Sequence, residues 1–178
     1  MHDPLARLLA DPPDLPVVAG LSGVAAALRS HGVVVVQAPP GTGKTTMVPP
    51  AVAGRVRGRV VVTQPRRIAA RAAARRLASL MGESVGATVG YSVRGDRRVG
   101  PHTRIEFVTT GVLLRRLQRD PELVGVGAVV LDEVHERQLD ADLTLAFLVD
   151  VRATVREDLQ LVAMSATIEA ERTAAVLG

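Results

Sequence analysis

Short runs of valine and other aliphatic residues alternate along the chain with longer stretches rich in Ala, Leu and Arg. The short runs are apolar at nearly every position, as in strands buried on both faces, and the longer stretches have helical length. Together they predict an α/β fold, a mostly parallel sheet with helices on both faces. Strands are predicted at 33–37 (VVVVQ), 59–63 (RVVVT), 105–108 (IEFV), 127–131 (GAVVL) and 159–163 (LQLVA), with a weaker extended piece near 87–91. Helices are predicted at 21–30, 44–53, 67–81, 111–119 and 140–152. Gly100-Pro101 and Asp120-Pro121 punctuate the connections, and there is neither an internal repeat nor a low-complexity linker.

Composition narrows this picture. A chain of 178 residues suits one domain with one sizeable core. Hydrophobic residues make up 47% and aromatics only 2%, so the core must be aliphatic, and recognition by rows of stacking rings is not expected. Without cysteine there are no disulfides and no thiolate zinc sites. His2, His31 and His102 are scattered and suggest no metal centre. No apolar run approaches the roughly 20 residues that span a bilayer, and 1–14 lacks the apolar stretch of a secretion signal, so a cytoplasmic location is expected. The net charge of +4 and pI near 10.8 suit a polyanionic partner, but an arginine-rich composition would produce the same values.

Of the 22 Lys and Arg residues, 21 are arginine and only Lys44 is lysine. It lies in Ala38-Pro-Pro-Gly41-Thr42-Gly43-Lys44-Thr45, between a predicted strand and a predicted helix, which is the pattern of a phosphate-binding loop. Small residues let successive N–H groups turn inward as an anion cradle, and the helix N-terminus adds partial positive charge. Lysine brings a compact charge on a flexible stem, where the wide guanidinium fork would crowd the loop. Thr45 supplies the hydroxyl that such loops use for Mg²⁺. Ala38 stands at the first loop position in place of glycine.

A second element follows the predicted strand GAVVL, which ends in Asp132-Glu133-Val134-His135. Strand ends face the ligand crevice in such sheets. Asp132 can hold Mg²⁺ and Glu133 can orient and deprotonate a water that attacks the γ-phosphate. The same acidic pair also suits an ordinary helix N-terminus.

The segments 38–46 (APPGTGKTT), 63–70 (TQPRRIAA), 132–137 (DEVHER) and 164–167 (MSAT) occur in helicase order, and the chain resembles the DEAH-box RNA helicases. The likeness extends through GYSVRGDRR, TRIEFVTTG and VREDLQLVAMSATIE, covers nearly the whole chain and is most like the bacterial HrpB-type branch. It implies a RecA-like P-loop domain that uses ATP and Mg²⁺, spanning 1–178, with 1–20 as an N-terminal extension. It further implies that Gly41, Thr42, Gly43, Lys44, Thr45 and Thr46 hold ATP phosphates and metal, and that Asp132 and Glu133 serve metal and water. His135 would contact the coupling machinery, Ser165, Ala166 and Thr167 would link hydrolysis to strand movement, and Arg76 would stack on adenine. No glutamine motif of the DEAD-box kind stands upstream, which implies relaxed base selectivity.

Departures from the family pattern are Val134 for a small alanine, Gln138 for Ser or Thr, and Thr110 for an acidic residue before Gly111. In the helix predicted at 67–81, Arg67, Arg71 and Arg75 recur every fourth residue, with Arg66 at its start and Ile68, Leu77, Leu80 and Met81 assigned to the apolar side. A basic face of this kind suits a nucleic-acid track and equally suits plain solvent. The resemblance favours Arg66, Arg67, Arg94, Thr110 and Gly111 as contacts to a single-stranded RNA backbone, with DNA as the alternative and little sequence preference.

Two other classes stay open: a small stand-alone NTPase or kinase, and an RNA-binding module without turnover. MSAT and TQPRR speak against the first, and an intact Lys44, Asp132 and Glu133 against the second. No second sheet domain follows MSATIE before Gly178, so the resemblance implies that a partner RecA-like domain of a longer protein completes the site.

Overall fold

The computed structural model describes residues 3–134, 139–166 and 170–178. Seven strands form one sheet: β1 (Val33–Gln37), β2 (Arg59–Gln64), β3 (Val89–Val93), β4 (Asp96–Arg98), β5 (Ile105–Thr109), β6 (Val126–Leu131) and β7 (Gln160–Ser165). Their order is β1-β7-β6-β2-β5-β3-β4, and every neighbouring pair is parallel except β3–β4. The helices are α1 (Pro4–Ala10), α2 (Leu21–His31), α3 (Lys44–Ala53), α4 (Arg67–Leu80), α5 (Thr110–Arg119), α6 (Leu139–Thr154) and α7 (Ala170–Leu177), with a 3-10 turn at Pro16–Gly20.

Side chains alternate across a strand, so each valine run feeds two cores at once. Val60 and Val62 of β2 pack with Leu28, Met47 and Leu77 from α2, α3 and α4. Val61 packs on the opposite face with Leu113, Leu117 and Leu148 from α5 and α6. This double burial is why the strands read as continuous apolar runs and not as alternating ones.

Besides the 3-10 turn at Pro16–Gly20, three elements lie outside the predicted set. Helix α1 starts at Pro4 with Asp3 as its cap, the Asp3 carboxylate accepting from the Leu5 N–H at 3.0 Å. Strand β4 is a three-residue antiparallel edge of Asp and Arg, set by the turn at Gly95 (φ +82°). Helix α7 closes the described chain, and the weak strand predicted at 87–91 sits two residues later.

The reading of the helix at 67–81 needs correction. Leu77 and Met81 are buried, but Ile68 is 80% exposed and Leu80 41% exposed. The inward face is built by Ala70, Ala74, Leu77 and Ala78, whose small side chains bring α4 close to the sheet. Nor is Arg71 part of a plain solvated face. It pairs with Asp96 at 3.0 Å and lies 5.9 Å from the centre of the Tyr91 ring.

One charged group sits inside the fold. Glu106 of β5 is fully buried and accepts from Arg116 at 2.8 and 3.2 Å, from Arg59 at 3.0 Å and from Ser92 at 2.6 Å. Burial pushes its carboxyl up, but the Arg116 guanidinium, with Ser92 and Arg59, outweighs burial and holds it at about 2. The cluster ties β2, β3 and β5 to α5. Among the described residues, no helix is long and apolar enough to cross a membrane.

Candidate nucleotide and strand site

Parallel pairing brings the C-terminal ends of β1, β7, β6, β2 and β5 to one edge of the sheet, and every sequence-predicted site segment leaves from that edge. The loop after β1 turns on Gly41 (φ +78°) and Gly43 (φ +91°), conformations that only glycine adopts freely. At Gly43 a Cβ would also lie 2.7 Å from Leu15 Cδ1. The turn before α2 braces the loop from behind, the Val17 N–H donating to the Thr42 carbonyl at 3.0 Å. The Thr42 hydroxyl donates to the Pro39 carbonyl at 2.8 Å.

Lys44 opens α3 and is only 6% exposed. Its Nζ donates to the carbonyls of Ala38 at 2.7 Å and Pro39 at 3.3 Å. Among the described residues no carboxylate pairs with it. A buried ammonium held by neutral carbonyls at a helix N-terminus keeps its charge uncompensated and its third donor available, which is the electrostatic signature of an anion site.

Next to it, the Thr45 hydroxyl donates to Asp132 Oδ2 at 2.5 Å, so the loop and the tip of β6 meet directly. The Gln64 amide donates to the same oxygen at 2.5 Å, and the Glu133 N–H donates to Asp132 Oδ1 at 2.9 Å. Asp132 is 6% exposed. Glu133 has φ +57°, a left-handed turn costing about 1 kcal/mol for a side-chain-bearing residue, which swings the chain away from the strand immediately after Asp132. Hydroxyl and carboxylate oxygens suit Mg²⁺, and among the described residues no cluster of three His, Asp or Glu forms a closed cage. The Thr45 hydroxyl and the Asp132 carboxylate are oxygen donors of the kind a hard divalent cation takes.

β7 connects these parts. The Ser165 carbonyl accepts from the Ala38 N–H at 3.1 Å, and the Met164 carbonyl accepts from the Val134 N–H at 3.2 Å. Ser165 is fully buried and Ala166 partly exposed. His135 and Thr167 lie outside the described residues. The Thr46 hydroxyl is buried and accepts from Arg76 Nε at 3.3 Å, which sets the Arg76 guanidinium beside the loop helix.

The residues expected to grip a strand share the same edge. Arg66 caps α4 in an extended conformation (φ −130°, ψ 145°), Arg67 follows it, and Arg94 follows β3; all three are exposed. Thr110 and Gly111 form the first turn of α5. Thr110 is 8% exposed, and with Thr63, Asp132 and Val134 it lines a small cavity beneath the edge instead of presenting its hydroxyl at the surface. Sequence reasoning passed over Gln64, although it stands inside TQPRR as a polar end to an apolar strand.

The pattern described as DEAD/DEAH box helicase matches residues 22–176. The chain is 49% identical over 160 residues to the ATP-dependent RNA helicase HrpB of Escherichia coli, covering 89% of this chain and 20% of that protein. It is 42% identical over 158 residues to the DExH-box ATP-dependent RNA helicase DExH1 of Arabidopsis thaliana, covering 85% of this chain and 16% of that protein. The crystal structure of E. coli DEAH/RHA helicase HrpB superposes with a TM-score of 0.87 over 91% of this chain and 21% of that one. The chain thus spans between 16% and 21% of the length of these relatives. With the loop, the acidic strand tip and the parallel sheet all present, the chain belongs to the DEAD/DEAH box helicase family.

Proposed function

We propose that this chain is the nucleotide-binding RecA-like unit of an ATP-dependent RNA helicase, in which ATP hydrolysis drives movement along a single strand. The observation that carries the reading is Lys44, a buried cation whose partners among the described residues are neutral carbonyls, placed where a strand meets a helix N-terminus. Lys44 and the N–H groups around Gly41 and Gly43 bind the phosphates. Thr45 and Asp132, with Glu133, would hold Mg²⁺, whose charge offsets that of the phosphate oxygens. Glu133 orients a water and takes its proton. Arg76, at the loop helix, flanks the base, and Ser165 and Ala166 pass changes at the loop to the rest of the sheet edge. Arg66, Arg67, Arg94 and Gly111 hold the strand by its phosphates, with little base preference. A cytoplasmic location fits this role, and a second RecA-like domain of the whole protein completes the nucleotide site.

Calorimetric titration of the purified chain with Mg·ATP, with and without single-stranded RNA, tests loop, metal and strand site together. The expected result is saturable binding of both. Binding of RNA without any nucleotide affinity would leave an RNA-binding module and overturn the proposal.

A further inference from the structure

Gln64 is the last residue of β2 and is 5% exposed. Its contacts run in three directions. Its side-chain amide donates to Asp132 Oδ2, the oxygen that also accepts from Thr45. Its backbone is in register with Thr109, the residue that caps α5 immediately before Thr110 and Gly111. Along the chain only Pro65 separates it from Arg66. Proline fixes its own φ and confines the residue before it to extended backbone, so rotation along 64–66 is restricted at Gln64 and at the Pro65 φ.

We infer that Gln64 is a positioning residue that couples strand binding to the metal site, fixing the Asp132 carboxylate according to where the Arg66–Arg67 segment sits; this rests on the function proposed above. The chemistry separates Gln64 from its neighbour on the same oxygen. Thr45 is itself assigned to the metal, so its hydroxyl has a second partner. Gln64 is a neutral amide with no phosphate to bind and no proton to move, and its N–H anchors the carboxylate while Thr45 is engaged elsewhere. A pull on Arg66 and Arg67 by RNA phosphates is then transmitted through Pro65 to the atom that orients Asp132. Two sites joined by such a link have affinities that depend on each other, and the dependence is reciprocal.

The test is a linkage measurement on this chain, comparing the parent with Gln64→Met, which keeps length and volume but has no donor, and with Gln64→Ala. The probes are a non-hydrolysable ATP analogue with Mg²⁺ and a short oligouridylate, titrated separately and together, with thermal unfolding as the check on folding. The parent should bind the analogue at least about fivefold more tightly when RNA is bound, and the reverse. Gln64→Met should bring the mutual enhancement down to about one, with affinity for the oligouridylate alone kept within about threefold and affinity for the Mg²⁺ analogue alone reduced by the loss of the Asp132 anchor. A residue that is merely structural would shift the separate affinities and leave their ratio alone. Undiminished enhancement in a folded Gln64→Met or Gln64→Ala variant overturns the inference, as does a parent that binds both ligands independently. A parent that binds neither ligand fails the proposed function itself, and the two failures are told apart by the separate titrations.

Discussion

Among the described residues the partners of the buried Lys44 ammonium are carbonyl oxygens, and in the function proposed here such a group is placed for an anionic ligand at some cost to the empty protein. This gives two expected outcomes with opposite signs. Lys44→Ala should leave the unliganded thermal midpoint unchanged or slightly raised, while Mg·ATP affinity measured by calorimetry falls at least about tenfold, the value of a lost charge-assisted contact. Lys44→Arg should also lose affinity, because the planar fork cannot enter a loop in which the existing ammonium already lies 2.7 Å from a backbone carbonyl. Glu133 calls for a different measurement. Its left-handed backbone is tolerated because the neighbouring contacts of Asp132 and Val134 fix the turn, so Glu133→Gln should keep both fold and nucleotide affinity. In the whole protein under saturating RNA that variant should lose ATP turnover by about 10² or more, and turnover at the parental rate would remove Glu133 as the base.

At the scale of elements, the ion cluster at Glu106 fastens α5 to the sheet, and with it the turn that carries Thr110 and Gly111. Its folded carboxyl is held at about 2 against an ordinary 4.5, so the stabilisation is fully present above pH 4.5 and is lost as pH falls through 2. That difference corresponds to about 3 kcal/mol at neutral pH. Urea unfolding between pH 6 and pH 2 should show this slope in the parent, and Glu106→Gln should be less stable at pH 6 and lack that share of the acid loss. Nothing in the sequence singled out Glu106, because IEFV reads as a strand whichever face its one charge occupies, and its partners come from β2, β3 and α5. The misplaced apolar side of α4 has a different cause: Ile68, nine residues before Leu77, lies about 180° from it around the helix and so falls opposite the buried side, while the close-packed face went to alanines that carry little hydrophobic signal. The doubly buried strands were legible because both faces reward the same residues, whereas β4, with three polar residues, owes its place to a hairpin turn and a neighbouring edge.

At the scale of the whole molecule, the segments proposed for the nucleotide site were legible because each is local in sequence: a loop, a strand tip, and the rule that parallel strands end together. What was not legible is the wiring between segments, such as Gln64 to Asp132 or Ser165 to Ala38, which depends on the strand order β7-β6-β2 and not on any one stretch. That wiring lies at the C-terminal ends of the strands, and the chain spans about a fifth of E. coli HrpB. In the function proposed here, phosphoryl transfer needs cationic stabilisation from a second RecA-like domain, and a group of that kind is worth about 10³ to 10⁵ in rate in related NTPases. On the same proposal this unit alone would offer only its own share of the strand contacts, and affinity for a polyanion falls steeply with each phosphate contact removed. This chain alone should therefore bind Mg·ATP through Lys44 and Thr45, hydrolyse it slower than the whole protein by about that factor, bind single-stranded RNA weakly with a shallow salt dependence, and displace no strand from a duplex. Steady-state ATPase with and without RNA, beside a strand-displacement assay on the 178-residue chain, measures each of these. Robust unwinding by the monomer would show that one RecA-like unit suffices, and the division of labour between two domains would have to be abandoned.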